Sequence, residues 1–312
     1  VQLCAETFGD RADPAVVLIM GSSASMEWWE DEFCELLASG GRFVIRYDLR
    51  DTGRSITYPP GSPAYTGGDL VDDLGALIDI VAPGSAHLVG MSMGGGIAQR
   101  FALDHPDRVA SLTVFASTFA DRDLSGLPSM SEETGRRFGA VPSPDWADRA
   151  ETAAYVVELA RVGAATSAHF DEAPVRSIAE RAFDRSTDME ASYTNHHLLE
   201  DGAPPARRLE DLSTPTLIVH GTEDPVPPVR ARNRALRDDS GGASAAARGH
   251  GPRAAPQDVG HHGPGDPAAH RRDRLGHAGL IASPSAPLPS FVACATTTPT
   301  RRSTGTTITS RR

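Results

Sequence analysis

Lysine is absent from this sequence: all 30 basic residues are arginine. Together with the abundance of Ala, Gly and Pro, that absence points to a GC-rich coding sequence rather than to a function. Cysteine is scarce as well. Cys4, Cys34 and Cys294 are too few and too scattered for a disulfide framework or a zinc site, so a reducing cytoplasm is the expected compartment. No run of 18 apolar residues occurs, and no membrane partner is expected. No signal peptide is visible either, although in a chain that begins at Val1 this says nothing about a leader. Positive charge is the remaining deficit. The formal net charge is -11, and residues 240–312 carry nine Arg against three Asp, so the preceding body is more acidic than the whole. An acidic body repels nucleic acid, which is excluded as an expected partner.

The chemistry is concentrated in five residues, Gly90-Met91-Ser92-Met93-Gly94. An apolar run, Ala86 to Val89, precedes them, and Ile97, Ala98, Phe101 and Ala102 follow at helical spacing. Strand, Gly-x-Ser-x-Gly, helix is the context of a nucleophile elbow. Its glycines are required because a serine on so sharp a turn takes strained backbone angles, where neighbouring side chains would collide. The helix then directs free N–H groups and its positive dipole end toward an oxyanion formed beside the hydroxyl.

Around the elbow, strand and helix patterns alternate. Residues 2 to 8, Val16 to Met20, Phe43 to Tyr47, His87 to Val89, Ser111 to Ala116 and Thr216 to His220 read as strands. Between them, Trp29, Phe33, Leu36 and Leu37, and then Leu70, Leu74, Leu77, Ile78 and Val81, mark helix faces. This rhythm implies an α/β fold with a mostly parallel sheet covered on both faces. It breaks between Ser117 and Pro215, where only helical stretches such as Ala147 to Val162 and Pro174 to Phe183 appear, and a helical cap over a pocket is expected. Asn195-His196-His197 inside it is expected to be an exposed or capping histidine pair, with a place in the pocket wall as the alternative. Residues 240–312 hold one aromatic residue, Phe291, and cannot bury enough apolar area to offset their ordering entropy. The division is therefore 1–116 and 211–237 as core, 117–210 as cap, and 238–312 as a low-complexity, disordered tail. Five of the eleven histidines lie in that tail, but without repeated ligand spacing or paired cysteines, so neither metal nor cofactor is expected.

A serine hydroxyl needs a base to take its proton, and the base needs an orienting group. Asp224, in His220-Gly221-Thr222-Glu223-Asp224-Pro225 just past the Thr216–His220 strand, is the candidate acid, preferred over Glu223 by the Gly-x-x-Asp-Pro arrangement. With the elbow and the polar loop from Asp48 to Ser55, this acid loop makes the chain resemble an α/β-hydrolase. The clusters Trp29-Glu30-Asp31-Glu32-Phe33 and Arg46-Tyr47-Asp48, with Arg50 to Ser55, are similar to the aclacinomycin methylesterase-like branch, which cleaves carboxylic methyl esters. The resemblance covers residues 1 to about 236. It implies an α/β-hydrolase fold, a small-molecule ester substrate, and an oxyanion hole formed by the backbone N–H groups of Met93 and Ser22. It also implies that Arg50 and Asp51 belong to a structural loop.

The family's base lies in a Gly-x-Gly-His stretch after one more strand beyond the acid. Here that place falls to His250, 26 residues after Asp224 in Arg248-Gly249-His250-Gly251, with no strand pattern before it. Codons can be chosen for Gly249 to Pro264 so that a one-nucleotide shift reads Gly-Met-Gly-His, as the family does, and the tail therefore reads as a frame-shifted segment. Two functional expectations follow: a serine esterase acting through Ser92, Asp224 and His250, or a dead or binding-only product that lacks a properly placed histidine.

Overall fold

The computed structural model describes residues 1–118, 130–164, 170–221 and 224–226 in full, together with the backbone of 243–247 and 306–309. Strands β1 (Gln2–Phe8), β2 (Ala15–Ile19), β3 (Phe43–Tyr47), β4 (Ala86–Met91), β5 (Val109–Phe115), β6 (Thr216–Gly221), β7 (Ala243–Ala247) and β8 (Thr306–Thr309) form one sheet in the order β7-β6-β5-β4-β2-β3-β1-β8. Pairings from β3 through β7 are parallel, whereas β1 runs antiparallel to both β3 and β8. The connections proceed from β2 to β3 on one side and then to β4 on the other side of β2. This reversal opens a crevice at the carboxyl ends of β2 and β4, the place where ligands bind in open α/β sheets.

The apolar run in β2 is buried at every position, as a strand covered on both faces must be. Val17 and Ile19 join the core beneath α2 (Gly67–Val81) and α3 (Met93–Asp104), against Leu74, Ile78, Ile97 and Phe101. Val16 and Leu18 point the other way, toward Trp28, Trp29 and Cys34 of the region leading into and through α1 (Asp31–Ser39). Helix α2 starts on a capping box in which the Thr66 hydroxyl accepts from the Asp69 N–H and the Asp69 carboxylate accepts from the Thr66 N–H.

Between β5 and β6 lie α4 (Glu132–Gly139), α5 (Arg149–Gly163), α6 (Glu172–Arg185) and α7 (Met189–Thr194). Among the described residues this insertion contains no strand, as its sequence implies. Pro174 sits in the first turn of α6, where its missing N–H costs no intrahelical bond. Val156, Val157, Val175 and Ile178 bury their side chains in the same apolar cluster as Val16 and Leu18. Polar contacts fasten α6 to the sheet: the Arg185 guanidinium lies 2.5 Å from the Asp48 carboxylate, which is fully buried and also accepts N–H groups from Met26 and Arg54.

Two arginines of the clusters that carry the methylesterase-like resemblance, Arg46 and Arg50, are engaged in ion pairs. Arg46, almost completely buried, binds the carboxylates of Glu6 and Asp31, each at 2.6 Å, and also the Trp29 carbonyl. Arg50 clasps Asp73 with two parallel bonds of 2.7 and 2.9 Å.

One sequence expectation needs correction. No strand was expected after β6, yet β7 pairs in parallel with it and lies just before His250. Ala-Ser-Ala-Ala-Ala has little intrinsic strand preference and no alternation to read. Its pairing follows instead from the row of N–H and C=O groups that the β6 edge offers. The structure therefore supplies the further strand that the Gly-x-Gly-His pattern calls for. β8 likewise lies in the segment from which no structure was expected.

Candidate active site

The elbow takes the form its glycines require. Ser92 stands between β4 and α3 with φ 50° and ψ -118°, a left-handed backbone that an L-residue keeps only when its surroundings hold it there. They do so from three sides. The Ser92 N–H donates to the Phe115 carbonyl at 2.9 Å, and the Ser92 carbonyl accepts from the Gly95 N–H at 2.9 Å and the Ser117 hydroxyl at 2.7 Å. A Cβ on Gly90 would stand 2.3 Å from the Gly94 carbonyl oxygen, and one on Gly94 would stand 2.3 Å from that of Ile19, so neither position admits a side chain.

Ser92 faces a cavity of about 520 Å³, within the usual range for small-molecule sites. Gly21, Ser22 and Ser23 from the turn after β2 form one wall, and Trp28, Tyr155 and Tyr193 contribute much of the apolar lining. A Cβ added at Gly21 would lie only 3.3 Å from the Ser92 Cβ, so this turn rests directly on the candidate nucleophile. Met93 is the first residue of α3, and its N–H has no acceptor within the helix. Ser92 and Ser22 thus share one cavity, with the Met93 amide adjoining the hydroxyl along the chain.

Asp224 does not line that cavity, which its loop reaches through Val226. Its carboxylate accepts the Val226 N–H at 2.8 Å, and its side chain is only 10% exposed. Burial pushes its pKa up to about 7, and the one backbone bond offsets this only in part. The His220 ring lies 3.6 Å away. Glu223 and His250 lie outside the described residues. Among the described residues no cluster of His, Cys, Asp and Glu is arranged to hold a metal ion.

Of the histidine pair, His196 departs from expectation, whereas His197 is exposed. His196 is buried, not exposed: its Nδ1 accepts the Ser23 N–H at 2.9 Å, and its Nε2 lies 2.7 Å from the Arg50 carbonyl. His197 lines the cavity and approaches the Ser23 hydroxyl at 3.4 Å. Burial lowers the pKa of both rings. The reason for the difference lies in Asn195. Its amide binds the Asp51 carboxylate at 2.9 Å and accepts the Gly61 N–H at 2.7 Å, drawing Asn195 and His196 inward against the loop that holds Arg50 and Asp51. Sequence reasoning singled out this triplet but not Ser23 or the aromatic trio Trp146, Tyr155 and Tyr193. Those three rings pack with centroids 5.2 to 5.7 Å apart, a contact between α5, α7 and the segment before α5 that no local pattern announces.

Comparison with known proteins gives the same fold. The family described as alpha/beta hydrolase fold matches residues 14–239. The chain is 34% identical over 252 residues to rhodomycin D methylesterase DauP of Streptomyces sp. (strain C5), covering 76% of this chain and 84% of that protein. It is also 34% identical over 255 residues to rhodomycin D methylesterase DnrP of Streptomyces peucetius, with the same coverage of 76% and 84%. Both match along most of the chain, in keeping with the motif clusters around Trp29 and Arg46. Among solved structures, one from a study of carboxylesterases of the ammonia-oxidizing thaumarchaeon Nitrososphaera gargenis superposes with a TM-score of 0.60 at 21% identity, covering 80% of this chain and 86% of that one, a likeness of fold. With a mostly parallel sheet and a strained serine on the turn between β4 and α3, the chain belongs to the α/β-hydrolase fold family.

Proposed function

We propose that this chain hydrolyses carboxylic esters, methyl esters among them, through an acyl-enzyme on Ser92. The observation that carries the reading is the strained Ser92 at the head of α3, facing an apolar cavity large enough for a small or medium ester. The Ser92 Oγ attacks the ester carbonyl while a histidine takes its proton. The N–H groups of Met93 and Ser22 receive the negative charge on the carbonyl oxygen. The same histidine returns the proton to the departing alcohol, then activates a water that releases the acid. His250 is the histidine assigned to this role and Asp224 its orienting group, consistent with the order Ser, acid, His along the chain and with β7 lying immediately before His250. The cap is assigned to the insertion within 117–210, whose helices α5 and α7 line the cavity through Tyr155 and Tyr193. The methylesterases matched along most of this chain support the ester assignment. Cys4 and Cys34, buried and unbridged, suit a reducing cytoplasm.

A fluorophosphonate probe tests the reading. Wild-type protein is expected to label at Ser92 and to hydrolyse a p-nitrophenyl ester. Ser92→Ala should lose both, and His250→Ala should lose roughly 10³-fold or more in kcat. Folded wild-type protein that neither labels nor hydrolyses would instead make this a binding-only member of the family. An unimpaired His250→Ala variant would remove His250 from the mechanism.

A further inference from the structure

Ser23 is one of few non-glycine residues with a left-handed backbone, at φ 64°. It closes the turn that carries Ser22 past the nucleophile, and a residue in this conformation stays there only where its surroundings hold it. The His196 ring provides such a hold. A backbone N–H can only donate, so the contact from Ser23 requires a bare Nδ1; a backbone carbonyl can only accept, so the contact to Arg50 requires a proton on Nε2. These two partners fix the ring as the neutral Nε2–H tautomer. The side chain is thereby a rigid strut between the Ser22–Ser23 turn and the Arg50–Asp51 loop.

We propose that His196 is a positioning residue for the oxyanion hole, holding the Ser22 N–H in place through Ser23. The proposal rests on the reading of Ser92 as the nucleophile and of Ser22 as an oxyanion donor. The base of the strut is fixed independently of the turn it supports. Asn195 is bonded to Asp51 and Gly61, and the Ser192 hydroxyl donates to the Asp51 carbonyl at 2.5 Å. Asp51 in turn accepts the Tyr65 hydroxyl at 2.7 Å. At the far end, the turn touches Ser92 through Gly21, so a displacement of Ser23 is felt at the reacting atoms. Oxyanion donors act only within about 2.7–3.1 Å of the developing charge, and a misplacement of about 1 Å can cost roughly 10²-fold in rate. A residue of the insertion thus completes an oxyanion hole otherwise built from the turn after β2 and the first residue of α3.

Two variants divide the two bonds of the ring. In His196→Asn the amide oxygen takes the place of Nδ1 and keeps an acceptor for Ser23; in His196→Gln the amide nitrogen reaches the place of Nε2 and keeps the donor to Arg50 but loses that acceptor. With a p-nitrophenyl ester as substrate, His196→Gln is expected to lose about 30- to 100-fold in kcat with KM changed less than about threefold. His196→Asn should stay within about fivefold of wild type. Equal kcat for the two variants, or a loss confined to KM, overturns the proposal, because a packing role does not discriminate between the two bonds. If neither variant folds, ring nitrogen chemical shifts of the wild-type histidines decide: one non-titrating Nε2–H ring that responds when a trifluoromethyl ketone adds to Ser92 supports the strut, and a cationic or Nδ1–H ring at position 196 overturns it. Ser92→Ala is measured in parallel. Hydrolysis that survives it refutes the nucleophile assignment itself, whereas its loss combined with equal His196 variants refutes only the strut.

Discussion

The same chemical change two residues apart, Gly94→Ala and Gly96→Ala, is expected to have opposite consequences. Both positions lie in the first turns of α3, where replacing Gly with Ala gains about 1 kcal/mol by reducing the freedom of the unfolded chain. At Gly96 a new Cβ meets nothing within 4 Å, so the full gain survives and Tm rises by about 2–4 °C. At Gly94 the Cβ would stand 2.3 Å from the Ile19 carbonyl oxygen and 2.5 Å from that of Met20. These are backbone atoms at the end of β2 and cannot rotate away, so strand and helix must separate by about 1 Å. Overpacking of this kind costs about 1–3 kcal/mol, which cancels or outweighs the helix gain. The larger effect falls on catalysis, because β2 leads straight into Gly21 and Ser22 and the displaced turn no longer faces Ser92 as before. A fall in kcat of about 10²-fold is expected for Gly94→Ala, with wild-type kcat for Gly96→Ala. Urea denaturation and p-nitrophenyl ester hydrolysis measure the two quantities separately. A Gly94→Ala protein with undiminished kcat would refute the claim that contact between β2 and α3 sets the geometry of the site.

Two further outcomes concern buried charge. Arg50→Met leaves the Asp73 carboxylate buried without its two-bond partner and should destabilise the fold by about 3–5 kcal/mol, whereas adding Asp73→Leu should recover most of that loss in a double-mutant cycle followed by urea unfolding. Burial holds the Asp224 pKa at about 7, so between about pH 4 and 7 the folded chain keeps a proton there that the unfolded chain has released. Stability from this group is therefore fully present below about pH 4 and is lost as pH rises to 7, by roughly 2–4 kcal/mol, and Asp224→Asn should flatten the slope. Unfolding midpoints of both proteins at the two ends of that window check the sign. A wild-type slope in the opposite direction would show a cationic imidazole seated on the carboxylate and refute the burial argument.

Six strands of the sheet were legible because burial writes itself into sequence at short range. Val16 to Ile19 and Phe43 to Tyr47 are continuous apolar runs apart from Arg46, and that exception is resolved by the carboxylates of Glu6 and Asp31. The elbow was legible for a steric reason: Gly90 and Gly94 stand where no Cβ fits. β7 and β8 were not, because Ala- and Thr-rich segments carry no hydrophobic period, and their pairing depends on the sheet edges offered to them. His196 of the Asn195-His196-His197 triplet was visible as chemistry but placed wrongly. Its inward orientation is set by Asp51 and Gly61, more than 130 residues away along the chain.

The sequence by itself determined that Ser92 stands on a strand-to-helix elbow and that an acid loop follows the strand after the insertion. Both are local matters of sterics, hydrophobic period and order along the chain. The tertiary structure alone decided what surrounds that serine: the Gly21–Ser23 turn resting against it, the aromatic wall from the insertion, and the His196 ring bracing the turn from the far side. Hydrogen bonds and packing across such separations leave no periodic trace in a single sequence, because each partner is chosen by where the fold delivers the other.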